Sequence, residues 1–307
     1  MTTAIISHPD CGLHDMGQGH PESPDRLSAI QDQLIASGLE MLLQHVDAPL
    51  AERKHLELVH DSTYVDSIFQ SSPVSGQRAW IDPDTSMNEH TLKATLRAAG
   101  AAIHAVDMVM TNKVSNVFCN VRPPGHHAER ARAMGFCFFN NVAIGAAHAI
   151  KEYQLERVAI VDFDVHHGNG TEDIFKSDSR VLFCSTFQHP FYPYSAAETD
   201  IAHIVNVPLE LGTKDDTFQQ AVTEQWLPKL IEFKPQLILM SAGFDAHIED
   251  DMAGLALTER SYSWVTQEIK TIAGHYANGR IVSCLEGGYA LSALGRSVAA
   301  HIGVLIE

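Results

Sequence analysis

Asp164 and His166 stand two residues apart in the run Asp162-Phe-Asp-Val-His-His167. On an extended segment that spacing sends both side chains to one face and turns Val165 the other way, into the core. The pair is a two-pronged claw for a metal ion. A catalytic zinc commonly takes three protein nitrogen or oxygen donors and leaves the fourth position to water, and Asp245, in Ser241-Ala-Gly-Phe-Asp, is the natural third candidate. A solvated Asp-x-Asp-x-His turn without metal is the alternative, so the reading depends on Asp245 reaching the same rim. His126-His127 would complete such a centre, because a metal-bound water needs a base, a leaving amine needs an acid, and imidazole serves both near neutral pH. With 18 histidines adjacent pairs also arise by chance, and His166-His167 is another. Tyr289, after Gly287-Gly288, could reach over a small pocket as an oxyanion donor, or could simply pack. Phe136 and Tyr192 could wall a narrow channel or belong to the core.

The elements that must carry these residues read as alternating strand and helix. Short apolar runs at Val114 to Val121, Val158 to Val161, Val181 to Cys184, Gln236 to Met240 and Ile281 to Leu285 predict strands covered on both faces. Leu92, Leu96, Ala99, Ile103, Val106 and Met110 form a helical stripe, and Phe218, Val222 and Trp226 begin another that continues past Pro228. A further helix is expected to open at Ser23 as cap, to pack Leu27, Ile30 and Leu34 inward and to stop at Gly38. The alternation predicts an α/β fold, a mostly parallel sheet with helices on both faces and the active site at the C-terminal ends of the strands. Four strand ends carry the polar clusters named above. The stretch Gln70 to His90 reads as a long surface loop, and residues 1–307 are expected to form a single domain.

With 21 Lys plus Arg against 38 Asp plus Glu, the formal charge of −17 argues against nucleic acid or an anionic membrane as partner. The start of the chain lacks the basic residues and apolar run of a signal peptide, and no segment approaches a membrane span, so a soluble cytoplasmic protein is expected. Five widely spaced cysteines without a Cys-x-x-Cys pair suggest neither a disulfide framework nor a thiolate zinc site.

Six segments together resemble one family. His20-Pro-Glu-Ser-Pro-Asp-Arg26, Arg122-Pro-Pro-Gly-His-His127, Gly135-Phe-Cys-Phe-Phe-Asn-Asn-Val142, Asp162-Phe-Asp-Val-His-His-Gly-Asn-Gly-Thr171, Ser241-Ala-Gly-Phe-Asp245 and Leu285-Glu-Gly-Gly-Tyr289 follow its order. It is the zinc-dependent histone deacetylase and acetylpolyamine amidohydrolase superfamily, with an arginase-like α/β fold. The resemblance implies Asp164, His166 and Asp245 as zinc ligands, His127 as general base and then acid, His126 as its electrostatic partner, and Tyr289 as oxyanion donor. It implies that Asp162 orients His126, and that Asn169, facing His127 where class I enzymes have Asp, marks a class II-like chain. A structural potassium would take oxygen donors from Asp162, Asp164, His166, Ser185 and Thr186. Phe136 and Tyr192 match channel walls, and the Gly135 carbonyl would hold the substrate's amide N–H.

The expected activity is zinc-dependent removal of an acetyl or other acyl group from an acylated amine. Polyamine-selective members carry a Glu seven residues after the last zinc-ligating Asp, and here that position is Met252. Acyl-lysine in proteins or peptides is therefore the favoured substrate, with an acetylated polyamine or other small amine as the alternative. Glu22, Glu249, Asp250 and Asp251 could still supply acid near the mouth. An arginase-type binuclear centre would need further carboxylates, where this chain has Gly168 and His247. A non-catalytic acyl-lysine-binding module with the same fold is a second alternative.

Overall fold

The computed structural model describes residues 2–195 and 199–307. Its strands are β1 (Thr3–Ser7), β2 (Leu43–Asp47), β3 (Ala79–Trp80), β4 (Ser86–Met87), β5 (Asn116–Cys119), β6 (Val158–Asp162), β7 (Val181–Gln188), β8 (Ile204–Leu209), β9 (Leu237–Ala242) and β10 (Ile281–Leu285). The α-helices are α1 (Asp25–Ala36), α2 (Arg53–Leu56), α3 (Ser62–Gln70), α4 (Thr91–Met110), α5 (Asn141–Tyr153), α6 (Asn169–Phe175), α7 (Asp215–Phe233), α8 (Glu259–Tyr276) and α9 (Leu291–Ile306). Eight strands form one sheet in the order β2-β1-β5-β10-β9-β6-β7-β8, every neighbouring pair parallel. β3 and β4 make a small antiparallel hairpin inside the 70–90 segment, so that stretch is less irregular than expected.

Alternation along each central strand divides the core. Val117 and Cys119, Val158 and Ile160, Leu237 and Leu239 face one helical layer that includes α4 and α5, while Phe118, Ala159, Val161, Ile238 and Met240 face the layer of α1, α7, α8 and α9. Both faces are buried, which is why these strands read as unbroken apolar runs. The chain visits β5, β6, β9 and β10 at widely separated points, yet they lie side by side as β5-β10-β9-β6. Their carboxyl ends therefore bring residues 120–136, 162–169, 243–250 and 286–290 to one rim, at the place where the strand order reverses.

Three parallel strands escaped the sequence reading. β2 and β8 are the two edges and carry polar residues on their exposed side, and β1 offers only the three apolar residues Ala4-Ile5-Ile6. The first helix starts one residue later than expected: its N-cap is Pro24, and Ser23 accepts from Arg26 N–H through its carbonyl instead of capping with its side chain. Ile30 and Leu34 are buried as predicted, Leu27 is half-buried, and Gly38 closes the helix at φ +74°. All five cysteines are free and buried. Among the described residues no helix is long and apolar enough to cross a membrane.

Candidate metal centre and acid-base site

Asp164 and His166 leave the end of β6, and Asp245 leaves the end of β9, the strand paired beside it. One ligand-type atom from each lies within 4.8 Å of the others, and all three residues are buried. His166 Nδ1 is 3.0 Å from Asp164 Oδ1 and 3.2 Å from Asp245 Oδ2. Val165 is buried in the opposite layer, as its place between the two demands. The cluster is bound into the backbone: Gly287 N–H donates to Asp164 Oδ2 at 2.8 Å, and Val165 N–H donates to Asp245 Oδ1 at 3.0 Å. Asp245 Oδ2 has no hydrogen-bond partner among the described residues. Glycine is required around it, since a Cβ at Gly287 would fall 2.0 Å from Asp245 Oδ2 and one at Gly243 would fall 2.1 Å from Asp164 Oδ2.

The histidine pair follows β5. His126 Nδ1 meets Asp162 Oδ2 at 3.0 Å, and His127 Nδ1 meets Asn169 Oδ1 at 2.7 Å. Their rings are 4.0 Å apart, and the His127 ring is 5.8 Å from that of His166. Burial would lower the pKa of His126, but the carboxylates of Asp164 and Asp162 overcome it and push it up to about 10. Burial, with His126 and His166 beside it, holds His127 well below the usual imidazole range. The two neighbours are thus set apart, one as a cation and one as a neutral base. Against its burial, Asp164 and Asp245 raise His166 to about 9, so positive charge is favoured at this point. Burial and Asp164 push Asp245 up to about 6.

Tyr289 follows β10. Burial, then Asp245, pushes its phenol well above the usual range, so it stays protonated and can donate. Its ring lies 6.0 Å from Phe136, and the Arg26 guanidinium sits 5.0 Å over it. Gly135, buried at φ +56°, abuts His127: a Cβ there would fall 2.4 Å from that ring and 3.1 Å from the Tyr192 hydroxyl. Tyr192 is edge-on to both His127 and His166. Phe136 packs instead against His20 and Tyr289.

Ser185 and Thr186 lie on β7, with Ser185 in register with Asp162, and both are buried. Met252 is half-buried in the 247–254 loop. Two of the acids that could have served the mouth are buried. Glu22 is wholly buried, its carboxylate held by Arg122 and Arg26 with His14 Nε2 3.4 Å away, because two guanidiniums in a dry interior demand a counter-charge. Asp250 is buried too, and its oxygens are taken by backbone N–H groups. Gly168 and His247 add no carboxylate, and the cluster of three is the one metal-type group among the described residues.

Glu286 and Arg26, each inside one of the six motifs, brace the site. Glu286 Oε2 accepts from Gly125 and His126 N–H at 2.7 and 3.1 Å, tying the β10 end to the histidine loop. Arg26 donates to the carbonyls of Gly288, at 2.7 Å, and Glu286. A charged residue at the end of an apolar run was the signal for Glu286. Nothing in the spacing of Arg26 marked it.

Residues 20–305 match the family model described as "Histone deacetylase domain". The chain belongs to the histone deacetylase family. A probable deacetylase of Archaeoglobus fulgidus is 38% identical, the match covering 95% of this chain and 82% of that protein. The human polyamine deacetylase HDAC10 is 37% identical over 100% of this chain and 48% of its own. The type-2 histone deacetylase 2 of Dictyostelium discoideum is 35% identical over 99% of this chain and 21% of its own. The crystal structure of the HDA15 HD domain superposes with a TM-score of 0.93 at 35% identity, over 99% of this chain and 88% of that one. The chain spans half or less of the length of most of the curated relatives it matches. The expected arginase/deacetylase-like fold of this histone deacetylase family member is the one observed.

Proposed function

We propose that the protein is a zinc-dependent amide hydrolase that removes an acetyl or related acyl group from an acylated amine. The observation that carries this reading is the buried Asp164, His166 and Asp245 cluster, with a neutral histidine and a protonated phenol beside it. Asp245 Oδ2, buried without a hydrogen bond among the described residues, and the glycine cradle fit an ion held by these three residues. Bound zinc supplies Lewis acidity to a water and to the amide carbonyl.

The chain's own residues do the rest. His127 takes a proton at Nε2, because Nδ1 is held by Asn169, and returns it to the departing amine. His126, charged and paired with Asp162, steadies the negative charge of the carboxylates without competing for that proton. The Tyr289 hydroxyl donates to the oxyanion where it develops, and Gly135 with Phe136 and Tyr192 lines the approach. The orphaned, buried Ser185 hydroxyl beside Asp162 supports a potassium site built with Thr186, Asp162, Asp164 and His166.

Met252, in place of an acid, favours acyl-lysine as substrate. One observation favours the acetylpolyamine alternative: Asp82 and Asp84 lie in the hairpin whose Thr85 hydroxyl accepts from Phe136 N–H at 3.0 Å. Burial and Asp82 raise Asp84 only to about 6, so it is largely ionised at neutral pH and can meet an ammonium there. The test is turnover of an acetyl-lysine peptide, N-acetylputrescine and N8-acetylspermidine by zinc-loaded and chelator-stripped enzyme. Chelation abolishes turnover on this reading, and Tyr289→Phe lowers kcat by about 10² to 10³ while ligand binding persists. Activity independent of metal and of Tyr289 would overturn it.

A further inference from the structure

Asp250 has no place among the groups assigned above to metal, proton transfer or the oxyanion. Its carboxylate, in a residue only 5% exposed, is nevertheless fully engaged. Oδ2 accepts from Tyr289 N–H at 2.6 Å and Ala290 N–H at 2.9 Å, and Oδ1 accepts from Met252 N–H at 3.0 Å. α9 begins at Leu291 behind Ala290, an N-cap with no side-chain acceptor of its own. Asp250 accepts from the N–H groups of Ala290 and of Tyr289 before it, which places a carboxylate just ahead of the positive end of the helix. The loop is strapped down in turn: His247 Nε2 lies 3.5 Å from Glu259, Glu259 pairs with Arg296 at 2.5 Å, and Arg296 pairs with Glu249 at 2.6 Å. From the other side Arg26 holds the Gly288 and Glu286 carbonyls.

One carboxylate therefore joins the backbone that carries Met252 to the backbone that carries Tyr289. We propose that Asp250 is a positioning residue, which sets the Tyr289 hydroxyl over the reacting carbonyl and couples its placement to the loop that meets the substrate. The proposal rests on Tyr289 being the oxyanion donor. Such a donor works only about 2.7 to 3.1 Å from the developing charge, and a misplacement of about 1 Å costs on the order of 10²-fold in rate. Gly288 at φ +122° and Gly287 leave the segment before Tyr289 little stiffness of its own, so its anchors decide where the phenol sits.

The test is a double-mutant cycle on the full zinc-loaded chain with an acetyl-lysine peptide. Asp250→Ala is expected to lower kcat by about 10²-fold, to shift the ratio of peptide to acetylpolyamine KM as well, and to leave zinc content unchanged. In a Tyr289→Phe background the same substitution is expected to cost less than about threefold, because no hydroxyl remains to be misplaced. Asp250→Asn keeps an oxygen for Tyr289 and Ala290 while its NH2 faces the Met252 N–H. It should regain most of kcat while keeping that shift in the ratio of peptide to acetylpolyamine KM. A full further loss in the Phe background, an Ala variant changed in KM alone, or an Asn variant as impaired in kcat as the Ala variant would each overturn the proposal. Should the Ala variant fail to fold, the Asn variant alone decides, by the presence or absence of the KM shift. Unchanged turnover in Tyr289→Phe itself is a separate result, and it removes the oxyanion reading on which the proposal stands.

Discussion

A methyl group placed at Gly287 would land 2.0 Å from Asp245 Oδ2 and 2.6 Å from Asp164 Oδ2. Ordinary contact begins at 3.4 Å, so these oxygens would have to retreat by about 1.4 and 0.8 Å. A zinc–oxygen bond is only about 2.0 to 2.2 Å long, and neither carboxylate can move that far and still share an ion with His166. Asp164 is further pinned by Gly287 N–H, and Asp245 by Val165 N–H, so the strain falls on the cluster itself. Loss of an outer-shell partner alone costs about 10 to 100-fold in metal affinity, and displacement of two ligands should cost at least 100-fold. Gly287→Ala is therefore expected to lose zinc to a competing chelator at concentrations that leave the parent loaded, and to lose turnover in parallel. Gly303, on α9 with nothing within 4 Å of its missing Cβ, is the control. Gly303→Ala should bind metal normally and be more stable, by up to about 1 kcal/mol. Parent-like zinc affinity in Gly287→Ala would refute the assignment of these carboxylates to one ion.

Three further outcomes are expected. Asn169→Ala removes the acceptor at His127 Nδ1, a contact that raises the His127 pKa; kcat should fall, and the acidic limb of the pH–rate profile should move to lower pH. Glu22→Gln leaves two buried guanidiniums short of their counter-charge, and urea unfolding should show a loss of about 3 to 5 kcal/mol with the peptide-to-polyamine preference unaltered. Finally, burial pushes His60 down to about 4 and His301 down to about 3, and His60 must stay neutral to accept from Asn140 N–H. The unfolded chain binds protons at these two sites near pH 6.5 and the folded chain does not, so their contribution is complete above 6.5 and drains away as pH falls toward 4. His60 alone accounts for about 3 kcal/mol of that loss, which a urea series between pH 8 and 4.5 would measure against a His60→Gln variant.

The residue types at the strand ends announced the chemistry, and unbroken apolar runs announced the buried parallel strands that carry them. Asp164 and His166 could be read as a pair because period-two geometry is local, and the order of six motifs was enough to place the family. Edge strands β2 and β8 were not legible, since one exposed side dilutes their apolar pattern. What only the tertiary structure decided is which charges face water. Glu22 and Asp250 look like surface acids in one dimension, yet the first is sealed against Arg122 and Arg26 and the second closes the start of α9 behind Tyr289. Composition and spacing cannot report burial for such residues, because an acid is tolerated inside only through partners as much as 100 positions away, and those partners meet it only when the sheet order β5-β10-β9-β6 is assembled.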